Sequence, residues 1–401
     1  MSQRVAAETC PPKVVVVREF DEGRDKAAVE EMEKRCEIGQ RGKPSLVTDL
    51  MGDPICRIRH FSTHVMLVAE YGEERRVVGV VRGCVKTVTR GKSMYVKVAY
   101  ILGLRVCPAH RRLGIGTKLV QHLEKWCERN GAEYAYMATD CTNEPSINLF
   151  TKKCSYAKFR TPTMLVQPVH AHYKPLPSSK TLILPLSPQL AELIYRRIFA
   201  NSEFFPKDID QILNNKLNLG TFIALPKKSN FKCNPSNNNN NNLLLLPPTF
   251  AILSVWNTKD VFKLQLKGAS PLTYAWCAGT RALDAYLPWL HFPSIPNVFK
   301  QFGVYFLYGL HMEGKHGLRL MKSLCAFAHN MARDDAGCGA LVAEVAHRDP
   351  VRDGIPHWTK FSWAEDLWCI KKFTPDNHHH DDGWVTSRPT SPVIFVDPRD
   401  F

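Results

Sequence analysis

The sequence contains no Cys-x-x-Cys pair, although 13 of its 401 residues are cysteines. The cysteines are scattered, and none has the Cys/His spacing that holds a zinc ion, so we predict no metal site. Several of them, including Cys84, Cys127 and Cys325, lie within apolar stretches. Thiols in such positions are typical of small buried side chains in a reducing compartment.

The sequence also lacks a long apolar run. No segment has the roughly 20 apolar residues that a membrane-spanning helix needs, and the first residues lack the apolar centre of a signal peptide. Both absences favour a soluble intracellular protein with no membrane partner. The 44% hydrophobic and 23% charged residues are typical of a globular protein, and a chain of 401 residues suggests two or more domains.

Acidic residues are the scarcer charge: 38 Asp and Glu stand against 53 Lys and Arg, which leaves a net charge of +15. This balance favours an anionic partner such as nucleic acid, a membrane surface or a polyanionic cofactor; a basic surface without a function is the alternative. There is no continuous Lys/Arg tract, so we do not expect direct nucleic-acid binding. Such binding would weaken steeply with added salt.

The pattern of apolar residues predicts a mixed α+β sheet in the first part of the chain. Its order is strand, helix, three antiparallel strands, helix, strand, helix, strand, which differs from a doubly wound sheet. Prolines 175 and 177 indicate a linker, and the asparagines 237–242 cannot pack a core. The expected organisation is a disordered tail (1–13), a first domain (14–169), a linker (170–182), a second domain (183–374) with a disordered Asn-rich insert near 228–248, and a mostly extended tail (375–401).

Part of the second domain repeats the sequence pattern of part of the first. Tyr100–Val106 and Phe306–Met312 both read as strand ends with a central glycine, and helices are expected to begin at Gly114 and near Gly317. We therefore predict that the second domain is a degenerate copy of the first; chance similarity between two strand–helix–strand units is the alternative. Glu313 places negative charge in the second loop, so we predict that this copy binds no cofactor.

The segment Arg111-Arg112-Leu113-Gly114-Ile115-Gly116 lies between a strand that ends at Val106 and an amphipathic helix. Glycines let the backbone approach a pyrophosphate, and the N–H groups and dipole of the helix favour negative charge there. A short glycine motif alone recurs by chance, and a plain strand–helix turn is the alternative. The flanking strand and helix make a phosphate-binding loop the better interpretation.

This loop resembles that of the GNAT N-acetyltransferase superfamily, and the resemblance spans roughly the first 170 residues. Longer segments, namely Thr48–Arg59, Gly103–Val106, Glu203–Asp210 and Phe395–Phe401, are similar to the plant HOOKLESS-type N-acetyltransferases along the whole chain. The resemblance implies a GNAT fold and acetyl-CoA as cofactor. It also implies acetyl transfer to amines of an unidentified protein acceptor, with chromatin-associated proteins as one class, and a nuclear role in regulating seedling growth.

The resemblance also implies roles for individual residues. The backbone of Leu104, Arg105 and Val106 would contact the pantetheine arm. The pyrophosphate would be held by Arg111, Arg112, Leu113, Gly114, Ile115, Gly116 and Thr117. Asn143 would contact the amide arm of the cofactor, although a helix cap is an equally simple role for it.

The chain departs from the superfamily pattern at its expected acid and base. Phe150 occupies the position of the usual general-acid tyrosine beside the cofactor and has no proton to give. Residues 95–106 contain no carboxylate, yet an amine that attacks a thioester must lose a proton. Asp140, Glu70 and His110 are candidate bases, each with a structural role as the alternative. Positioning of the two substrates can supply much of the rate without them.

Two functions follow from this pattern. The favoured one is a protein N-acetyltransferase with an intact first domain, and the alternative is a catalytically weak or inactive adaptor that works through protein partners. The acceptor should lie across residues 39–63, where Asp49 and Asp53 could attract an amine while Arg57 and Arg59 would repel a basic peptide.

Overall fold

The computed structural model describes residues 14–35, 45–91, 93–177, 179–228, 246–290, 294, 296–359, 362, 366–373, 383–386 and 391–401. The predicted tail 1–13 and the asparagines 237–242 lie outside these residues.

The elements alternate along the chain much as the sequence predicts. The strands are β1 (Val15–Glu19), β2 (Ser45–Asp49), β3 (Thr63–Tyr71), β4 (Arg76–Arg90), β5 (Tyr95–Val106), β6 (Tyr134–Asp140), β7 (Ala157–Arg160), β8 (Pro162–Pro168), β9 (Thr181–Leu186), β10 (Glu203–Pro206), β11 (Asn218–Pro226), β12 (Phe250–Asn257), β13 (Lys263–Lys267), β14 (Gly303–Glu313), β15 (Cys338–Ala346) and β16 (Asp366–Lys372). The α-helices are α1 (Glu22–Arg35), α2 (Ile115–Arg129), α3 (Glu144–Asn148), α4 (Pro188–Ile198), α5 (Ile209–Leu213), α6 (Pro271–Tyr286), α7 (Gly317–Asp334) and α8 (Gly383–Thr386).

The first large sheet has the strand order β1-β3-β4-β5-β6-β16-β7, with β10 paired to the far end of β4. Strands β3, β4 and β5 are antiparallel, whereas β5 and β6 are parallel. Helix α2 covers one face, where Ile115, Leu119 and Leu123 are buried. The mixed α+β sheet predicted from the sequence is confirmed.

The second large sheet, within the described residues, has the order β8-β15-β14-β12-β11-β9. It repeats the same design, because β12 and β14 are antiparallel, β14 and β15 are parallel, and α7 lies between them in the chain. Helix α7 packs one face of this sheet through residues such as Leu320 and Leu324. The other face joins the first sheet in a shared central core.

The two sheets exchange strands. Strand β8 belongs by sequence to the predicted first domain, yet Val166 pairs with Val342 of β15 in the second sheet. In return, β16 of the predicted second domain lies between β6 and β7 of the first sheet, where Trp368 pairs with Ala138. Neither sheet is therefore complete without a strand from the other half of the chain.

The end of the predicted C-terminal tail, residues 391–401, lies against the central core. Phe395 packs against Phe199 with ring centroids 5.1 Å apart, and Phe401 stacks on Phe306 at 4.7 Å. Asp400 accepts hydrogen bonds from Lys86 at 2.7 Å and from Tyr136 at 2.6 Å. Through these contacts the segment links the two sheets to each other.

Candidate functional site

Strands β5 and β6 diverge at one point, which we call the first fork. They are paired in register from Val98↔Tyr134 to Ile101↔Met137 and no further. Just beyond, Gly103 has a φ of +62°, and a Cβ there would lie 2.7 Å from Nη1 of the buried Arg82. Glycine is needed at this bulge because both the backbone angle and the space exclude a side chain. The second halves of the two strands leave a gap between them.

The loop after β5 ends at the start of α2. A short 3-10 turn, Pro108–His110, is followed by Arg112 with φ +68° and Gly114 with φ +77°. The first intrahelical hydrogen bond runs from the Lys118 amide to the Gly114 carbonyl at 3.0 Å. The preceding N–H groups therefore lack intrahelical acceptors, and with the exposed Arg111 they present donors and positive charge to one side.

The loop has room for a bulky anion. A Cβ built at Gly114 would meet no atom within 4 Å, so the space before the helix is open. A Cβ at Gly116 would lie 3.4 Å from Leu149 and 3.8 Å from Val106, which places that glycine against the base of the gap. Leu113 is exposed, whereas Ile115 anchors the helix in the core. These residues fit a pyrophosphate at the loop and a narrow chain in the gap.

The other residues predicted to contact the cofactor lie around the gap. Leu104, Arg105 and Val106 form the half of β5 beyond the fork. Asn143 caps α3, where its side chain accepts from the Ser146 amide at 3.4 Å, and Phe150 is buried against Tyr156. Asn143 thus forms the helix cap that is the alternative to a cofactor contact, and the Phe150 ring carries no ionisable group.

The three candidate bases lie in different surroundings. Glu70 is buried on β3 and held by Arg18 at 2.7 Å and Arg24 at 2.6 Å, two strands away from β5. His110 lies in the turn after β5 and contacts the Tyr71 ring. Asp140 ends β6 and accepts from the Thr142 amide at 2.6 Å. Of these, Asp140 lies on the strand that forms the gap.

The described part of the proposed acceptor region, residues 45–63, has its charged side chains paired within the region or with other parts of the chain. Asp53 forms an ion pair with Arg59, and Asp49 accepts from Gln301 at 2.6 Å. Arg57 donates to the carbonyl of residue 400 at 3.0 Å. Each of these side chains therefore has a structural partner, which reduces its availability to an incoming amine.

The second sheet has a corresponding fork, at the point where β14 and β15 diverge. Their pairing ends at Leu307↔Ala343, and Gly309 has a φ of +61°, close to that of Gly103. Its loop is filled, however. A Cβ at Gly314 would lie 2.2 Å from Thr249 Oγ1 and 2.4 Å from the Pro248 carbonyl, although Gly314 and Gly114 share a φ of +77°.

Two carboxylates near the first fork were missed by the sequence reasoning. Asp366 of β16 is paired in register with Asp140, and burial and the Asp140 charge raise its pKa to about 6. Glu344 of β15 accepts a hydrogen bond from the Trp368 indole at 3.1 Å. Burial, followed by the charge of Asp366, raises its pKa to about 8. Asp366 reaches this place through the exchange of β16, and Glu344 meets Trp368 of the same exchanged strand. No local pattern in the sequence indicates either contact.

Comparison with known proteins matches residues 28–156 to the acetyltransferase (GNAT) family model. The chain is 50% identical to "Probable N-acetyltransferase HLS1" of Arabidopsis thaliana over 97% of its own length and 100% of that protein. The chain belongs to the GNAT acetyltransferase family. It is also 41% identical to "Acetyl transferase GW6a" of Oryza sativa subsp. japonica, over 99% of this chain and all of that protein. Acetyl-CoA is the acetyl donor of this family, as predicted.

Solved structures share the fold at low identity. Saccharomyces cerevisiae N-myristoyltransferase with bound myristoyl-CoA superposes with a TM-score of 0.53 at 10% identity, over 95% of this chain and 85% of that chain. A GCN5-related glucosamine N-acetyltransferase region of a fungal β-N-acetylglucosaminidase gives 0.52 at 13% identity, over 90% of this chain and 38% of that one. These matches support the fold alone. None of the helices described is long and apolar enough to cross a bilayer.

Proposed function

We propose that the protein transfers the acetyl group of acetyl-CoA to an amine of an acceptor protein, and that it acts in the nucleus as a regulator of plant seedling growth. Relatives that match nearly the whole chain carry the names of acetyltransferases. The nuclear role and the protein acceptor, with chromatin-associated proteins as one class, are supported by the resemblance to the HOOKLESS-type proteins.

The observation that carries this proposal is the open loop at the first fork. The α2 N-terminus, Arg111 and Arg112 would hold the pyrophosphate, because N–H donors, the helix dipole and two cations converge there. The backbone of β5 beyond Gly103 has lost its neighbour β6 and would pair with the pantetheine amides. When bound, acetyl-CoA supplies the activated acetyl group, and the protein orients an amine towards it.

We further propose that the second copy binds no cofactor. Thr249 and Pro248 lie where an anion would enter its loop, and Glu313 adds negative charge. Its role would be structural, since β8 and β16 make each sheet depend on the other. The division into domains at 14–169, 170–182 and 183–374 remains our proposal, amended by this exchange of strands.

Calorimetric titration of acetyl-CoA tests the loop. Gly114→Glu places a carboxylate in the pyrophosphate space, and we expect it to weaken binding at least tenfold. Gly131→Glu is the matched control, because Gly131 has a φ of +79° at the opposite end of α2, about 25 Å away. Equal affinities of the two variants, or no binding by the wild-type protein, would refute this assignment.

The adaptor function is favoured by one observation, the phenylalanine at position 150. Phe150 is buried and cannot protonate a leaving thiolate. An adaptor would bind acetyl-CoA or a partner protein without turning the donor over. Release of free thiol in the presence of a lysine peptide, followed by mass spectrometry of the peptide, separates the two functions: acetylated peptide supports transfer, and binding without release supports the adaptor.

A further inference from the structure

The side chain of Glu344 points from the second sheet towards the first. Along β15, Ala340, Val342 and Ala346 belong to the central core, whereas the alternate residues face α7. Since successive side chains of a strand point to opposite faces, Glu344 faces the central core. Its hydrogen bond to Trp368 of β16 shows that it reaches the first sheet.

The carboxylate therefore lies beside the first fork. Trp368 is paired in register with Ala138, the residue of β6 that follows the last β5–β6 pair, Ile101↔Met137. Both Trp368 and Tyr136 belong to the central core, with ring centroids 5.4 Å apart. Helix α2 covers the opposite face of this sheet. Glu344 is thus on the side of the fork that α2 leaves free.

Glu344 is also partly exposed and lightly bonded. It is half-buried, and it lines a cavity with Tyr308 and Gly309 of β14, Asp349 after β15 and Phe395 of the C-terminal segment. Among the described residues, its only hydrogen-bond donor is the neutral indole of Trp368. Asp400, another buried carboxylate, instead accepts hydrogen bonds from the Lys86 ammonium and from Tyr136.

We propose that Glu344, contributed by the second copy, is the general base for the amine at the first fork. This inference rests on the proposed transferase function. The amine nitrogen forms a bond to the acetyl carbonyl carbon and gives its proton to the Glu344 carboxylate, while the carbon–sulfur bond breaks. The leaving sulfur takes up one proton, so the carboxyl group can return the proton that it received and no net proton is gained or lost.

The electrostatic surroundings suit this role. Burial raises the pKa of Glu344 to about 8, and the charges of Asp366 on β16 and Asp400 in the C-terminal segment act in the same direction. Asp140 faces Asp366 across the strand pair, and Lys86 partly neutralises Asp400. A base of this strength is matched to proton transfer near neutral pH. The ionised form grows as the pH rises, so the rate should increase through about pH 8.

The test compares Glu344→Gln with the wild-type protein. Glutamine keeps the shape and an oxygen that accepts from Trp368, so the fold should persist. Thiol release is followed from pH 6 to 9 with two acceptors, a lysine peptide and an aromatic amine that stays unprotonated throughout. We expect the rate of the variant to fall 100-fold or more and its increase near pH 8 to disappear. The affinity for acetyl-CoA should stay within about twofold of the wild-type value.

Asp366→Asn provides the matched control, because it removes a neighbouring charge and leaves Glu344 in place. The increase of its rate with pH should persist and shift to lower pH. Two results for Glu344→Gln would overturn the proposed base while leaving the transferase function intact. One is a rate equal to that of the wild-type protein. The other is a reduced rate that still rises near pH 8 with the aromatic amine. A wild-type protein that binds no acetyl-CoA or acetylates neither amine would overturn the transferase function and this inference together.

Discussion

Several charged side chains are buried in ion pairs where the two sheets meet. Lys86 is fully enclosed with Asp400 and Asp397, and Arg160 is paired with Glu203 at 2.7 Å. Taking such groups out of water costs several kcal/mol per ion, which only close partners offset. Each pair joins residues more than 40 positions apart in the chain, so they fix how the halves fit together.

A buried histidine makes stability depend on pH. His329 of α7 is fully buried and accepts a hydrogen bond from the His170 amide at 2.9 Å. Burial lowers its pKa from 6.5 to about 4. The unfolded chain therefore binds a proton more tightly than the folded one, and stability present above pH 6.5 is lost as the pH falls towards 4.

We expect protonation of His329 to lower the free energy of unfolding by up to about 3 kcal/mol between pH 7 and pH 4. His329→Gln keeps an acceptor near the His170 amide and removes the titration. Urea unfolding at pH 7 and at pH 4.5 should show a smaller loss of stability for the variant than for the wild-type protein. The same loss in both proteins would show that His329 is not the source.

The sequence predicts the strand, turn and helix start of the loop but not the two nearby carboxylates, for a physical reason. The residues from Val106 to Gly116 are neighbours in the chain, so strand, turn and helix start follow from local preferences. Glu344 lies on β15 and meets Trp368 of β16 only after strands have exchanged. The alternation of side chains along a strand predicts which face of its own sheet a residue lies on. It does not show which other sheet packs against that face.

At the scale of elements, the two forks show how one design can diverge. The bulge glycines Gly103 and Gly309 have nearly the same φ, as do the loop glycines Gly114 and Gly314. The strands and helices around them also follow the same order. The difference lies in what occupies the loop: open space before α2, and the segment at Pro248 and Thr249 before α7. The repeat seen in the sequence thus corresponds to a repeated backbone.

Alanine substitutions at the two loop glycines measure this difference. Gly114→Ala should cost about 1 kcal/mol, from the positive φ alone. Gly314→Ala adds a clash with the backbone at Pro248 and should cost roughly 1–3 kcal/mol more. Denaturant midpoints of the two variants give the comparison, with acetyl-CoA affinity lowered only by the first. Equal destabilisation would mean that the second loop is as open as the first.

On the scale of the whole molecule, exchanged strands make the two halves one folding unit. Removing either half would strip a strand from the other sheet, because β8 pairs with β15 and β16 pairs with β6. The central core is also common to both sheets. The sequence predicts two domains and does not indicate this dependence, because a short apolar strand does not show which strand it pairs with.

Unfolding should therefore occur in one cooperative step. Two-domain proteins commonly unfold in separate transitions. Here, tryptophan fluorescence and far-ultraviolet circular dichroism should give coincident urea curves, and the calorimetric and van't Hoff enthalpies should agree. Two resolved transitions would show that each sheet is stable without its exchanged strand.

The number of acetyl-CoA molecules bound by the intact chain shows whether only the first loop holds the cofactor. The open first loop and the filled second loop predict one site per chain in a calorimetric titration, with an affinity at least tenfold lower in the Gly114→Glu variant. A stoichiometry of two, or one site whose affinity this variant leaves unchanged, would contradict the account.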